Sequence, residues 1–197
     1  MFRSVQDRCA VDFTKLNLPI SQSEFLELLS AKGFRVIKVD LIGEARKLIG
    51  KATFRLGARI SEAPDVLDCS SFTKWLYGHK GIWIPRLAIQ QFEYATKIDL
   101  SSLQSCDVIF TSGYCSRAWH IGHVSLFTGS SVISAMIRKQ GNGVSEFPLE
   151  TLLAERKLRG IGRIIPSPEN TLTLSIPSGY DIETSDDIKC LVLSWIS

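Results

Sequence analysis

Apolar side chains in residues 21–95 recur mostly at helical spacing between capping and stop signals, whereas in residues 107–165 they gather into short strand-like runs. Helices first and strands later point to an α+β fold, because alternating βαβ units would interleave the two patterns. Ser21 and Glu24 form a capping box before Phe25, Leu26, Leu28 and Leu29, and Gly33 stops that helix. A short strand is expected over 34–39, a second helix over 40–49, a third from Cys69 to Tyr77 and a fourth over 86–95. Strands are expected over 107–111, 121–128 and 131–136, with Gly129-Ser130 as the turn between the last two. A helix from Pro148 to Lys157 and an apolar run over 161–165 complete the central part. Pro166, Pro168 and Asn170 then mark a break before a tail read as β-rich, with apolar runs at 172–176 and 190–196.

Within this pattern, Asp68-Cys69-Ser70-Ser71-Phe72 places a thiol at the start of the third helix, with Asp68 and two serines in capping positions. Unpaired N–H groups and the helix dipole favour an anion there, so the thiol is expected to ionise readily. His123 opens the run 123–127 and could serve as its base, with Gly122 before it allowing close approach. His120 is a rival base, better read as part of a cleft rim. Asp68 reads first as a helix cap, Arg86 as a bidentate ligand for a substrate carboxylate, and Trp119 as a groove-lining aromatic.

Composition narrows the function classes. The net charge is +3, with Lys and Arg scattered rather than gathered into a stripe, which gives no case for nucleic acid. Five cysteines and three histidines show no zinc-ligand spacing, so neither metal nor cofactor is expected, and most of the thiols are expected to be free. No run reaches the roughly 18 apolar residues that span a bilayer, and the first residues lack a signal-peptide core. The expected location is the cytoplasm, or outside the cell by a leaderless route.

Six landmarks, in order, resemble the NlpC/P60 family of papain-like cysteine peptidases. They are the 45–51 helix followed by Phe54-Arg55-Leu56-Gly57-Ala58, then Asp68-Cys69-Ser70-Ser71-Phe72, then Ile84-Pro85-Arg86 with Gln90. Cys106-Asp107-Val108-Ile109-Phe110, His123-Val124-Ser125-Leu126-Phe127-Thr128-Gly129 and Val132-Ile133-Ser134-Ala135 follow. The resemblance covers about residues 40–165. It implies a papain-like domain with the nucleophile helix packed on an antiparallel sheet. It also implies hydrolysis of amide bonds in peptidoglycan stem peptides, and hence peptidoglycan-derived peptides as partners. Phe54 stands where the family has a tyrosine, Ser71 and Ser125 where it has glycine, and Ser134 where it has a second histidine or another polar orienter.

The expected organisation is an extension over 1–39, a catalytic domain over 40–166 and a tail over 167–197 that packs on the same domain. Cys69, His123 and Ser134 are the expected catalytic residues. Phe54, Asp68, Ser70, Arg86, Trp119 and His120 are the expected substrate-binding residues. Two alternatives accompany the hydrolase reading: a thiol-dependent acyltransferase or amidase on a non-wall substrate, and a binding module whose site has decayed.

Overall fold

A computed structural model describes residues 1–113, 120–138 and 141–197. In chain order the elements are β1 (Arg8–Asp12), α1 (Phe13–Leu16), α2 (Gln22–Ala31), β2 (Arg35–Ile37), α3 (Leu41–Lys47), β3 (Thr53–Phe54) and β4 (Val66–Leu67). Then come α4 (Cys69–His79), α5 (Ala88–Tyr94), β5 (Thr96–Ile98), β6 (Val108–Thr111), β7 (His123–Phe127) and β8 (Ser131–Arg138). Last are β9 (Gly141–Pro148), α6 (Leu149–Glu155), β10 (Leu158–Arg163), β11 (Thr171–Ser175) and α7 (Ser185–Ile196). The chain divides into two compact units, one of residues 1–39, 77–83 and 167–197, the other of 40–76 and 84–166.

In the smaller unit, β11 lies between β1 and β2 and pairs antiparallel with both. Phe25 and Leu29 of α2 share a buried core with Cys9, Val11, Phe34, Leu174, Ile188 and Val192. The Ser21–Glu24 capping box forms as expected, the Glu24 carboxylate accepting the Ser21 N–H at 2.8 Å and the Ser21 hydroxyl accepting the Glu24 N–H at 3.3 Å. The tail departs from expectation. Its 172–176 run is strand β11, but its 190–196 run ends helix α7, started by a capping box between Thr184 and Asp187. A short apolar run suits either periodicity, and here the cap decides.

In the larger unit, six strands form one antiparallel sheet in the order β5-β10-β6-β7-β8-β9. All of β6 and β7 is buried, and Ile109, Phe127, Val132, Met136, Phe147 and Leu152 form a common core. A separate parallel pair, β3 with β4, sets Phe54 opposite Leu67, two residues before Cys69. The expected elements are present with ends shifted by a few residues, while β3, β4, β5 and β9 lie in stretches where no strand was expected. Among the described residues, no helix is long and apolar enough to cross a membrane.

Gly81 illustrates how tightly the smaller unit is closed. Its φ is +75°, and a Cβ there would lie 2.8–2.9 Å from the backbone of Cys9 and Ala10. Its carbonyl accepts the Ala10 N–H at 2.9 Å. Gly81→Ala is therefore expected to destabilise the protein by about 1–3 kcal/mol from backbone conformation alone, with the close approach to β1 adding to it. Urea denaturation followed by tryptophan fluorescence would show the loss, and an unchanged midpoint would contradict this account of the turn.

Candidate active site

The start of α4 is held by one carboxylate. Asp68 Oδ1 accepts the Ser71 N–H at 2.8 Å, and the Asp68 N–H donates to Ser71 Oγ at 2.8 Å, a reciprocal cap. Asp68 Oδ2 accepts the Gly57 N–H at 3.1 Å, and Ser70 Oγ donates to Oδ1 at 3.3 Å. The Arg86 guanidinium grips both carboxylate oxygens, donates to Ser70 Oγ at 2.8 Å and also reaches the Ala58 carbonyl. Burial alone would raise Asp68, but the hydrogen bonds from Arg86 and Ser71 outweigh it and hold the carboxyl below the usual carboxylate range.

This arrangement corrects two expectations. Arg86 was expected to bind a substrate carboxylate, yet its donors face Asp68, Ser70 and Ala58. Ser70 was expected to touch substrate, yet it is buried and its hydroxyl joins Asp68 to Arg86. Gln91, which sequence reasoning passed over in favour of Gln90, completes the support. Its amide donates to the Ser70 and Pro85 carbonyls at 2.9 Å each and accepts from Thr73 Oγ1 at 2.7 Å. Gln90 is exposed and caps α5 at Leu87. The signal that separates them is helical phase: Gln91 lies three residues after buried Ala88, on the inward side of α5.

Cys69 begins α4 and is 7 % exposed. The backbone N–H groups of Val124 and Ser70 face its sulfur and favour negative charge on it, which sets it against the peptide that follows His123. His123 is 3 % exposed and opens β7 opposite Thr111 of β6. Gly122 is needed here, since a Cβ would lie 2.6 Å from the Gly113 nitrogen. His123 Nε2 lies 2.8 Å from Ser134 Oγ and 3.2 Å from Ser125 Oγ. Ser134 Oγ in turn donates to the Val124 carbonyl at 3.3 Å.

Burial pushes the Cys69 thiol up to about 11; the Asp68 charge adds to the rise, while the Val124 and Ser70 N–H groups and the Arg156 charge oppose it. Burial also pushes the His123 imidazole down to about 3, aided by Arg156 and opposed by Asp68. In this geometry burial works against the ready ionisation expected of Cys69, and against protonation of His123. Arg156, a buried cation that no sequence motif announced, acts on both groups.

Of the remaining expected residues, Phe54 is half-buried on β3 and His120 is exposed. Trp119 lies outside the described residues. Among the described residues, no group of three or more His, Cys, Asp or Glu side chains is placed to hold a metal ion. The N–H of Cys69 itself is taken by no described residue, whereas those of Ser70, Ser71 and Phe72 are bonded locally. A thiol, an imidazole with one nitrogen anchored and a free N–H at a helix start are the groups that acyl transfer requires.

Arg86→Met should cost about 3 kcal/mol at pH 7, the low end for breaking a buried pair, because the guanidinium is 29 % exposed. The folded Asp68 value lies below the unfolded one, near 3.9. Its contribution is therefore complete above that value and is lost as pH falls through the folded one. Thermal melts across pH should show variant and parent converging below about pH 4; a constant gap would exclude Asp68 as the partner that matters.

The model of the NlpC/P60 family matches residues 50–163, a stretch that contains Cys69, His123 and Ser134. The probable endopeptidase p60 of Listeria innocua is 34% identical over 124 residues, which are 63% of this chain and 24% of that protein. This chain thus spans about a quarter of the length of that relative. An NlpC/P60 family protein of Bacillus cereus superposes with a TM-score of 0.54 at 26% identity, covering 64% of this chain and 40% of the other. The NlpC/p60 domain of the peptidoglycan hydrolase SagA gives a TM-score of 0.50 at 24% identity, covering 63% of this chain and 96% of that domain. With more than half of its length matched by the family model, the chain belongs to the NlpC/P60 family.

Proposed function

We propose that this chain is a cysteine hydrolase that cleaves amide bonds in peptidoglycan stem peptides, with Cys69 as nucleophile and His123 as base. The observation that carries the reading is the buried Cys69 sulfur set against the His123–Val124 peptide, with the imidazole anchored through Nε2. The substrate class rests on family membership and on relatives named as an endopeptidase and a peptidoglycan hydrolase.

The Ser134 contacts support one assignment of the ring nitrogens. On this reading the Ser134 hydroxyl donates to the Val124 carbonyl and accepts from Nε2, which carries the hydrogen. Nδ1 is then the unprotonated nitrogen, available to the thiol. Because burial disfavours charge on both groups, His123 takes the Cys69 proton as the sulfur attacks the scissile carbonyl. The Cys69 N–H stabilises the developing oxyanion. Collapse breaks the C–N bond, and His123 returns the proton to the leaving amine. Water then attacks the thioester, again giving a proton to His123, and the carboxylic acid leaves as the thiolate regains its proton.

Incubation with muropeptides, read by mass spectrometry, tests this directly. The parent chain is expected to release shortened stem peptides, Cys69→Ala to release none, and Ser134→Ala to act on the order of tenfold more slowly, the worth of about one hydrogen bond. Muropeptides left intact by the parent would remove the wall-hydrolase reading. Transfer of an acyl group from another donor would then support the acyltransferase alternative, and inertness toward both the binding module.

The pH profile is a separate check. A base works above its own pKa, and burial has pushed His123 down to about 3. The acid limb of kcat/KM should therefore stay flat from pH 7 to pH 5. A limb with its midpoint near 6.5, the ordinary histidine value, would show that the imidazole is solvated in the working enzyme.

A further inference from the structure

Ser125 stands two residues after His123 on β7, so the two side chains lie on the same face of the sheet. The β7–β8 register pairs Leu126 with Ile133 and Phe127 with Val132. One step further along, it sets Ser125 across from Ser134, on that same face. His123 is buried, and both serines are fully so. Nε2 of the imidazole therefore meets two hydroxyls, Ser134 Oγ at 2.8 Å and Ser125 Oγ at 3.2 Å.

The two hydroxyls differ in what else they touch. Ser134 also donates to the Val124 carbonyl at 3.3 Å. Among the described residues, Ser125 Oγ has the imidazole as its hydrogen-bond partner and no other. A buried hydroxyl is costly without a partner, so the ring accounts for Ser125 as much as Ser125 anchors the ring. With the hydrogen on Nε2, both oxygens accept it in a three-centre bond whose shorter arm goes to Ser134. A hydrogen shared in this way keeps an acceptor when either arm opens. A glycine at position 125 would leave Nε2 with Ser134 alone.

We propose that Ser125 is a positioning residue for His123, a second hydroxyl on Nε2 that together with Ser134 holds the imidazole in its Nε2-protonated tautomer. Nδ1 then stays bare, the form in which the ring can take a proton from Cys69. The proposal rests on reading His123 as the base. It does not depend on the substrate.

Proton–nitrogen correlation spectra of the full chain, labelled on histidine and taken at neutral pH, tell a protonated ring nitrogen from a bare one without any substrate. Nε2 of His123 is expected to be protonated in the unmutated chain, in Ser125→Ala and in Ser134→Ala, each of which keeps a hydroxyl beside it. Only the double variant is expected to share that hydrogen with Nδ1. A packing role for Ser125 would leave the tautomer where it is, so a double variant still protonated at Nε2 alone overturns the proposal. A bare Nε2 in the unmutated chain overturns it as well, as does migration of the hydrogen to Nδ1 already in Ser134→Ala, and neither result needs the double variant to fold. Muropeptide cleavage gives a second readout. Ser125→Ala is expected to lower kcat about threefold, and the double variant on the order of a hundredfold, beyond the roughly thirtyfold product of the single changes, with KM moved less than about twofold. A loss at or below that product overturns the shared anchor. A parent chain that leaves muropeptides intact would instead remove the wall-hydrolase reading, and the spectra would decide the proposal alone.

Discussion

Asp68 is the constraint on which the rest of the site depends. A buried carboxylate must be hydrogen-bonded and paired, and this one draws its partners from three separate stretches of chain: Gly57, Ser70 with Ser71, and Arg86. The loop after β3, the first turn of α4 and the approach to α5 thus meet at one charge. Gln91 adds a second tie by bonding the Ser70 and Pro85 carbonyls. The position of Cys69 follows from these bonds and owes little to its own side chain.

The same charge works against ionisation of the thiol it positions, and magnitudes decide the outcome. A helix start is worth up to about 2 kcal/mol to an anion in favourable geometry, or about 1.5 pKa units. Full burial can move a titratable group by about 3–5 units the other way. Burial wins at Cys69, with Asp68 on the same side. On the proposed reading, proton transfer then accompanies attack. The helix start still matters on the proposed reading, because no described residue takes the Cys69 N–H.

Much of this was legible in the sequence, where local chemistry and final structure agree. The Ser21–Glu24 cap, the cysteine at the start of α4 and the strand opening at His123 each carry their own local signal. β9 carries none: Gly141, Asn142, Gly143 and Ser145 are poor strand formers, and the segment is a strand because β8 offers it an edge to pair with. The 190–196 run was misread although Thr184 and Asp187 stood before it as a helix signal. Arg86 was given to substrate because a lone arginine near a nucleophile does not reveal the buried carboxylate that takes its donors. Arg156 was silent for a related reason. Its meaning lies in β10 and β6 bringing Lys157 and Ser112 together, a long-range pairing that no local window contains.

Ser134 shows how sheet register substitutes for side-chain chemistry. A serine cannot balance an imidazolium as a carboxylate would, but a base that rests neutral needs only its tautomer and orientation fixed. The Val124 carbonyl orients the Ser134 hydroxyl, and that hydroxyl orients the ring. Both relations depend on β7 and β8 pairing in the observed register, with Leu126 opposite Ile133 and Phe127 opposite Val132. The intervening turn holds Gly129 at φ +106°. A slip of one residue would turn Ser134 to the opposite face and leave Nε2 without it. The placement of Ser134 beside His123 is thus set by strand pairing as much as by residue type.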